Sequence, residues 1–211
     1  MIKLYEFPPT RSIRVRWTLQ ELGVDFESHI VDMMAGEHRD PEFLAINPAG
    51  KLPVIVDGDL VLTESIAIVL YLCERDSDRG LLPVPVDKRA EVYQWLLFTT
   101  TELEQPLWRI ALHTSLYDEK ERNIEEVALA SRDFHEMARV LETHLEGKTF
   151  LVGDAFSVAD VVCGYTLDWA GEANLLEAFP NARHYMERLY ERPAAAMRIS
   201  QAFASLEVVR A

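Results

Sequence analysis

Two kinds of hydrophobic pattern run along this chain. Residues 2–7 (IKLYEF) form a short run with β-branched and aromatic members, and Pro8-Pro9 stop it, which predicts a strand. From residue 12 to 22 the period lengthens. Val15, Leu19 and Leu22 fall on one side, Arg14, Arg16 and Glu21 lie elsewhere, and Gly23 stands where a helix C-cap would. Residues 26–31 predict a second strand. Residues 41–46 predict a short helix, entered at Pro41 and ended by Asn47-Pro48. Residues 52–56 and 60–62 are two strands joined through Asp57-Gly58-Asp59, a hairpin turn. Residues 63–74 carry an almost wholly apolar middle (SIAIVLYL), which predicts a helix buried on several sides. Strand, helix, strand, short helix, strand, strand, helix describes a mixed-sheet α/β unit.

Beyond residue 76 the pattern needs no strand. Residues 77–86 (SDRGLLPVPV) are rich in turn formers and read as a linker. Val92, Trp95, Leu96, Thr99, Leu103, Leu107 and Ile110 recur at helical spacing, with Pro106 placed to kink the helix. Ile124, Val127, Phe134, Ala138, Leu141 and Leu145 predict a second long helix. Ser157-Val158-Ala159-Asp160 has the form of a capping box for a third, running towards Trp169. Shorter helices are expected near 181–191 and 194–205. The predicted class is α/β plus all-α, with domains at 1–76 and 87–211.

Charge narrows the partners. The formal net charge is −14. Residues 1–80 carry 8 basic and 14 acidic side chains, and the remainder 13 and 21, so the excess is spread evenly. That disfavours nucleic acid and anionic membranes as partners. No apolar stretch predicts a signal core or a membrane span. The two cysteines, Cys73 and Cys163, form no C-x-x-C pair, which fits a reducing cytoplasm and argues against cysteine-based metal sites.

Three segments carry a resemblance. They are Asn47-Pro48-Ala49-Gly50-Lys51-Leu52-Pro53-Val54, then Leu62-Thr63-Glu64-Ser65-Ile66-Ala67-Ile68, then Phe150-Leu151-Val152-Gly153-Asp154 with Ser157-Val158-Ala159-Asp160. In this order and at these distances the chain resembles the soluble glutathione S-transferases along nearly its whole length. The resemblance implies a thioredoxin-like N-terminal domain, a C-terminal helical bundle, a homodimer, and glutathione as co-substrate without a metal.

The implied binding residues have a physical logic. Leu52, before a cis Pro53, pairs its backbone with the ligand's peptide as an added strand does; a strand-start proline is the alternative. Ser65 at a helix start suits the γ-glutamyl carboxylate, with Glu64 for the ammonium group. The alternative there is a plain helix N-terminus with favourable acidic charge. Lys51 meets the glycyl carboxylate as a point charge, or is a solvated surface lysine. Asp160 is assigned to capping, and Tyr5 to packing.

A free thiol has a pKa of about 8.5, so a donor aimed at the sulfur favours the nucleophilic thiolate. The family places that donor between the first strand and the first helix. Here the stretch is Phe7-Pro8-Pro9-Thr10-Arg11-Ser12, without a cysteine. Thr10-Arg11-Ser12 resembles bacterial branches and puts the hydroxyl at Thr10. Ser12, whose other role is a helix N-cap, and a backbone N–H at the helix start remain open. For the second substrate the resemblance points to Phe7 and Arg11 from the first half and Trp108, Tyr117 and Trp169 from the second. The expected activity is conjugation of glutathione to small apolar electrophiles, with peroxide reduction as a companion. A non-catalytic binding or regulatory protein of the same fold is the alternative, and an isomerase of maleyl-type acids a more distant one.

Overall fold

In a computed structural model, backbone structure is described for residues 1–210 and side-chain environments through 205. The chain forms two compact units, one of Met1–Leu82 joined by the segment from Arg192 onward, the other of Pro83–Glu191.

The first unit holds a four-stranded sheet of β1 (Ile2–Glu6), β2 (Phe26–Ile30), β3 (Val54–Asp57) and β4 (Leu60–Thr63), in the order β2-β1-β3-β4. β1 pairs with β2 in parallel and with β3 antiparallel, and β3 pairs with β4 antiparallel. The parallel pair needs a crossover, which α1 (Ser12–Leu22) supplies. Gly23 ends that helix in the left-handed region, φ 61. The remaining helices of the sheet region are α2 (Pro41–Ile46) and α3 (Ser65–Arg75). α1 and α3 pack on each other and on the sheet. Ile13, Val15, Trp17, Leu19 and Leu22 are buried from α1, and Ile68, Val69 and Leu72 from α3. A separate cluster gathers Val31, Phe43 and Val54, with Tyr5, Ile46 and Leu52 against it, so Tyr5 packs as expected.

Period-two alternation puts Glu6 on the buried side of β1 with Ile2 and Leu4. Its carboxylate is satisfied there by the Arg16 guanidinium and by the Ser28 hydroxyl at 2.6 Å. β1, α1 and β2 are thereby tied together just before the loop at 7–11.

The last segment differs from the division of the chain at 76 and 87. Arg192 donates both a Nε–H and an Nη–H to Glu21 of α1, each at 2.7 Å, and Ala196, Ile199 and Ala202 are buried. A bidentate pair of this kind fixes position as well as charge. The final helix runs Ile199–Arg210, later than the 194–205 expected.

The second unit is helical, and among the described residues no strand follows β4. Its helices are α4 (Val86–Phe98), α5 (Glu104–Ala111), α6 (Ile124–His144), α7 (Val158–Glu172) and α8 (Pro180–Tyr190), which makes the final helix α9. α4 and α5 are joined by a widened turn at Thr99–Leu103. Pro106 explains it, because it has no N–H for the Glu102 carbonyl and its ring crowds that turn. α7 is buried nearly all round. Its capping box at Ser157 and Asp160 is present, as the sequence predicts. Asp160 also accepts from Leu151 N–H at 2.9 Å and from the Tyr185 hydroxyl at 2.6 Å. Burial pushes its carboxyl above the usual range, against the pull of those four donated bonds. Among the described residues no helix is long and apolar enough to cross a membrane.

Candidate functional site

Strand register assembles the site. Val54 opens β3 and faces Thr63, the last residue of β4. Leu52-Pro53 therefore precedes, and Glu64-Ser65 follows, one and the same rung. Val54 also faces Tyr5, two residues before Phe7. Three chain segments that the sequence singled out thus meet at one end of the sheet.

The Leu52–Pro53 peptide is cis, and so is Pro8–Pro9, which the sequence reading did not anticipate. Among the described residues nothing hydrogen-bonds to the N–H or the carbonyl of Leu52. Its backbone is left with one donor and one acceptor for an extended peptide. The approach to Leu52 is held by Asn47, 5% exposed, whose amide donates to the Lys51 carbonyl at 2.7 Å and accepts from Ala49 N–H at 3.1 Å. Gly50 is obligatory in this turn. It has φ 60, and a Cβ there would lie 2.8 Å from the His38 carbonyl and 3.0 Å from an Arg39 guanidinium nitrogen. Residues 38 and 39 therefore border the Lys51 loop. Lys51 itself is exposed.

Glu64 precedes α3 with φ 65, a strained backbone for a side chain other than glycine. Its side chain is exposed, while Ser65, the first residue of the helix, is buried. Arg14, reaching over from α1, donates to the Ser65 hydroxyl at 3.3 Å. A carboxylate near Ser65 would meet the open N–H groups of the helix end, its dipole and a buried guanidinium. Sequence reading left Arg14 on the polar side of α1. Only the fold reveals that it faces α3.

At the start of α1, Ser12 is buried and is the first helical residue rather than the N-cap, which is Arg11 without a side-chain capping bond. Ser12 Oγ accepts from Phe7 N–H at 3.2 Å, outside the helix. Thr10, half-buried, has its Oγ1 2.8 Å from Ser12 Oγ. Phe7 is 4% exposed and Arg11 is half-buried.

Of the aromatic residues in the second unit, Trp108 lies on α5 and Tyr117 just past the widened turn Leu112–Leu116, with 38% and 39% exposure. Tyr117 meets the His113 ring edge-on at 5.1 Å. Trp169 lies on α7 beside Tyr165, 6.4 Å between rings. Arg109 is held structurally, 2.5 Å from Glu126 and 2.7 Å from Asp133 on α6. Among the described residues no group of three or more His, Cys, Asp or Glu side chains is placed to hold a metal ion.

Two family descriptions match this chain, "Glutathione S-transferase, N-terminal domain" over residues 1–74 and "Glutathione S-transferase, C-terminal domain" over 103–193. The chain is 35% identical over 190 residues to glutathione S-transferase F10 of Arabidopsis thaliana, covering 84% of this chain and 86% of the relative. It is 35% identical over 193 residues to glutathione S-transferase 1 of Dianthus caryophyllus, covering 86% of each. Its fold is similar to glutathione transferase URE2P6 from Phanerochaete chrysosporium, solved in complex with oxidized glutathione. The TM-score is 0.82 at 26% identity, covering 97% of this chain and 95% of that one. This chain is an enzyme of the glutathione S-transferase family, with both domains of that family in order. Its similarity to plant relatives corrects the bacterial-looking branch that Thr10-Arg11-Ser12 suggested.

Proposed function

We propose that this enzyme binds glutathione within residues 1–76 and transfers its thiolate to small, apolar electrophiles, with peroxide reduction by the same thiolate as a companion activity. Leu52 pairs with the ligand's cysteinyl peptide. Ser65 and Glu64 take the γ-glutamyl end, and Lys51 the glycyl carboxylate. Pro53 shapes the turn into β3. Thr10 donates to the sulfur and Ser12 supports it. In the first unit Phe7 and Arg11 are assigned to the electrophile, and in the second Trp108, Tyr117 and Trp169. Glutathione is a co-substrate and no metal takes part. A homodimer fits the family, and symmetric dimers are the commonest oligomers; a cytoplasmic location fits two cysteines that form no C-x-x-C pair.

The observation that carries this reading is the shared rung at Val54 and Thr63, next to which the segment with the open backbone of Leu52 and the segment with the buried Ser65 both lie. Calorimetric titration with glutathione, followed by turnover with a general aromatic electrophile, tests it. Saturable binding with turnover is expected. Binding without turnover would favour the non-catalytic alternative, and no binding would remove the assignment altogether.

A further inference from the structure

The hydroxyl protons of Thr10 and Ser12 can be placed by counting. Thr10 Oγ1 lies 2.6 Å from the Phe7 carbonyl and 2.8 Å from Ser12 Oγ. A carbonyl has no proton to give, so the first contact uses the Thr10 proton. The second must then use the Ser12 proton. Ser12 Oγ in turn accepts from Phe7 N–H at 3.2 Å. Donation therefore runs from Phe7 N–H to Ser12, from Ser12 to Thr10, and from Thr10 back to the Phe7 carbonyl.

The last of these bonds is the replaceable one. The Phe7 carbonyl also accepts from Thr10 N–H at 2.9 Å, so it stays satisfied when the hydroxyl turns away. Thr10 is half-buried, whereas Ser12 is 1% exposed. On the acceptor side of Thr10 Oγ1, the Ser12 hydroxyl is joined by Ser12 N–H at 3.3 Å. A hydroxyl has two acceptor lone pairs and one proton. With its acceptor side filled, Thr10 can meet a sulfur only as a donor.

We infer that Ser12 is a positioning residue that holds Thr10 in the donor state, so that the Thr10 proton exchanges the Phe7 carbonyl for the glutathione sulfur. This rests on the assignment of Thr10 as the sulfur's partner. The only bond that breaks is the thiol S–H: its electron pair stays on sulfur and its proton leaves to solvent, while the Thr10 proton stays on its own oxygen. Without the Ser12 hydroxyl, an open lone pair on Thr10 would accept from the neutral S–H and favour the wrong form. The bond that Ser12 donates also polarises the Thr10 O–H, which strengthens its own donation.

The test compares wild type, Thr10→Ala, Ser12→Ala and the double variant. The readouts are the apparent pKa of bound glutathione, from its thiolate absorbance, and the pH profile of kcat/KM. Ser12→Ala should raise the thiol pKa by about half a unit to one unit, with kcat/KM about threefold to tenfold lower at neutral pH, as for one lost hydrogen bond. The loss should disappear at a pH high enough to ionise the thiol, and Ser12→Ala should add nothing in the Thr10→Ala background. A loss that is the same at every pH would mark a merely structural role and overturn the inference. A raised pKa in Thr10→Ala with an unchanged one in Ser12→Ala would overturn it while leaving Thr10 as donor. An unchanged pKa in Thr10→Ala would remove the underlying assignment. If Ser12→Ala does not fold, Ser12→Cys keeps a weak S–H donor and should still raise the pKa; a wild-type value there overturns the proposal.

Discussion

The Arg14 guanidinium donates to the hydroxyl of Ser65 at 3.3 Å, joining the first turn of α1 to the first residue of α3. Arg14 is 1% exposed, so its charge is little screened by water. Among the described residues nothing accepts the Ser65 proton, which leaves it for a ligand carboxylate. Ser65→Ala removes that donor from a charged partner. The expected cost to glutathione affinity is roughly 1–3 kcal/mol, the range for losing a hydrogen bond to a charged group. Titration calorimetry measures it, and unchanged affinity would show that the carboxylate binds elsewhere.

Thr10→Ala should raise the pKa of bound glutathione and slow conjugation. Loss of one hydrogen bond to an anion costs up to about 3 kcal/mol, which spans a few-fold to about a hundredfold in rate at neutral pH. Binding should change less, because the two ends of the ligand hold it. Thr10→Ser keeps the hydroxyl and should retain most of the activity. Steady-state rates on both variants decide this, and a Thr10→Ala enzyme as fast as wild type would transfer the role to Ser12 or to a backbone N–H.

Cys73 is buried in α3, and that burial pushes its thiol up to about 12. At neutral pH it is held as the unreactive thiol. Cys163 is buried in α7. Thiol reagents should therefore modify the native protein slowly and the denatured protein fast. Replacing both cysteines by alanine or serine, in a chain that still folds, should leave conjugation intact. A loss of turnover in a folded double variant would point to a thiol mechanism.

His144 is expected to oppose acidification. Its Nε2–H donates to the Leu151 carbonyl at 2.8 Å, which leaves Nδ1 to accept from Lys148 Nζ at 3.1 Å. The ring also lies against Trp95, 4.0 Å between centroids. Burial holds its pKa below the ordinary histidine value, and Lys148 adds to that effect. The unfolded chain therefore binds the proton first. This contribution to stability is complete above about pH 6.5 and is lost as pH falls through that value towards the lower folded pKa. Melting temperatures on either side of that pH, in wild type and His144→Gln, should show a steeper acid loss in the wild type. An imidazole titrating at or above the ordinary value by NMR would contradict it.

Local chemistry made much of this legible. Gly23, Pro41 and the Ser157–Asp160 box mark helix ends in the sequence, and the helices begin or end there. Leu52-Pro53 and Glu64-Ser65 were readable through the resemblance of the segments that hold them, and the left-handed φ of Glu64 was not. Other features depend on contacts that no local pattern records. Arg14 looked like any polar position on α1, and its partner lies 51 residues away. Ser12 read as an N-cap because serine at a helix start commonly is one. The chain instead turns Ser12 Oγ back to Phe7 N–H, a bond made available by the path of the loop at 8–11. The widened turn at Thr99–Leu103 was announced only as a kink at Pro106.

The bidentate grip of Arg192 on Glu21 has a consequence for anyone cutting or grafting this chain. One splice in the linker does not yield two modules. A chimera joined at residues 77–86 would take the tail that belongs to its first unit from the other parent. If that parent lacks an arginine where Arg192 stands, Glu21 and the Trp17 indole N–H that it accepts at 3.0 Å would lose a shared anchor. Exchange of the helical unit calls for two junctions, the second just before Arg192.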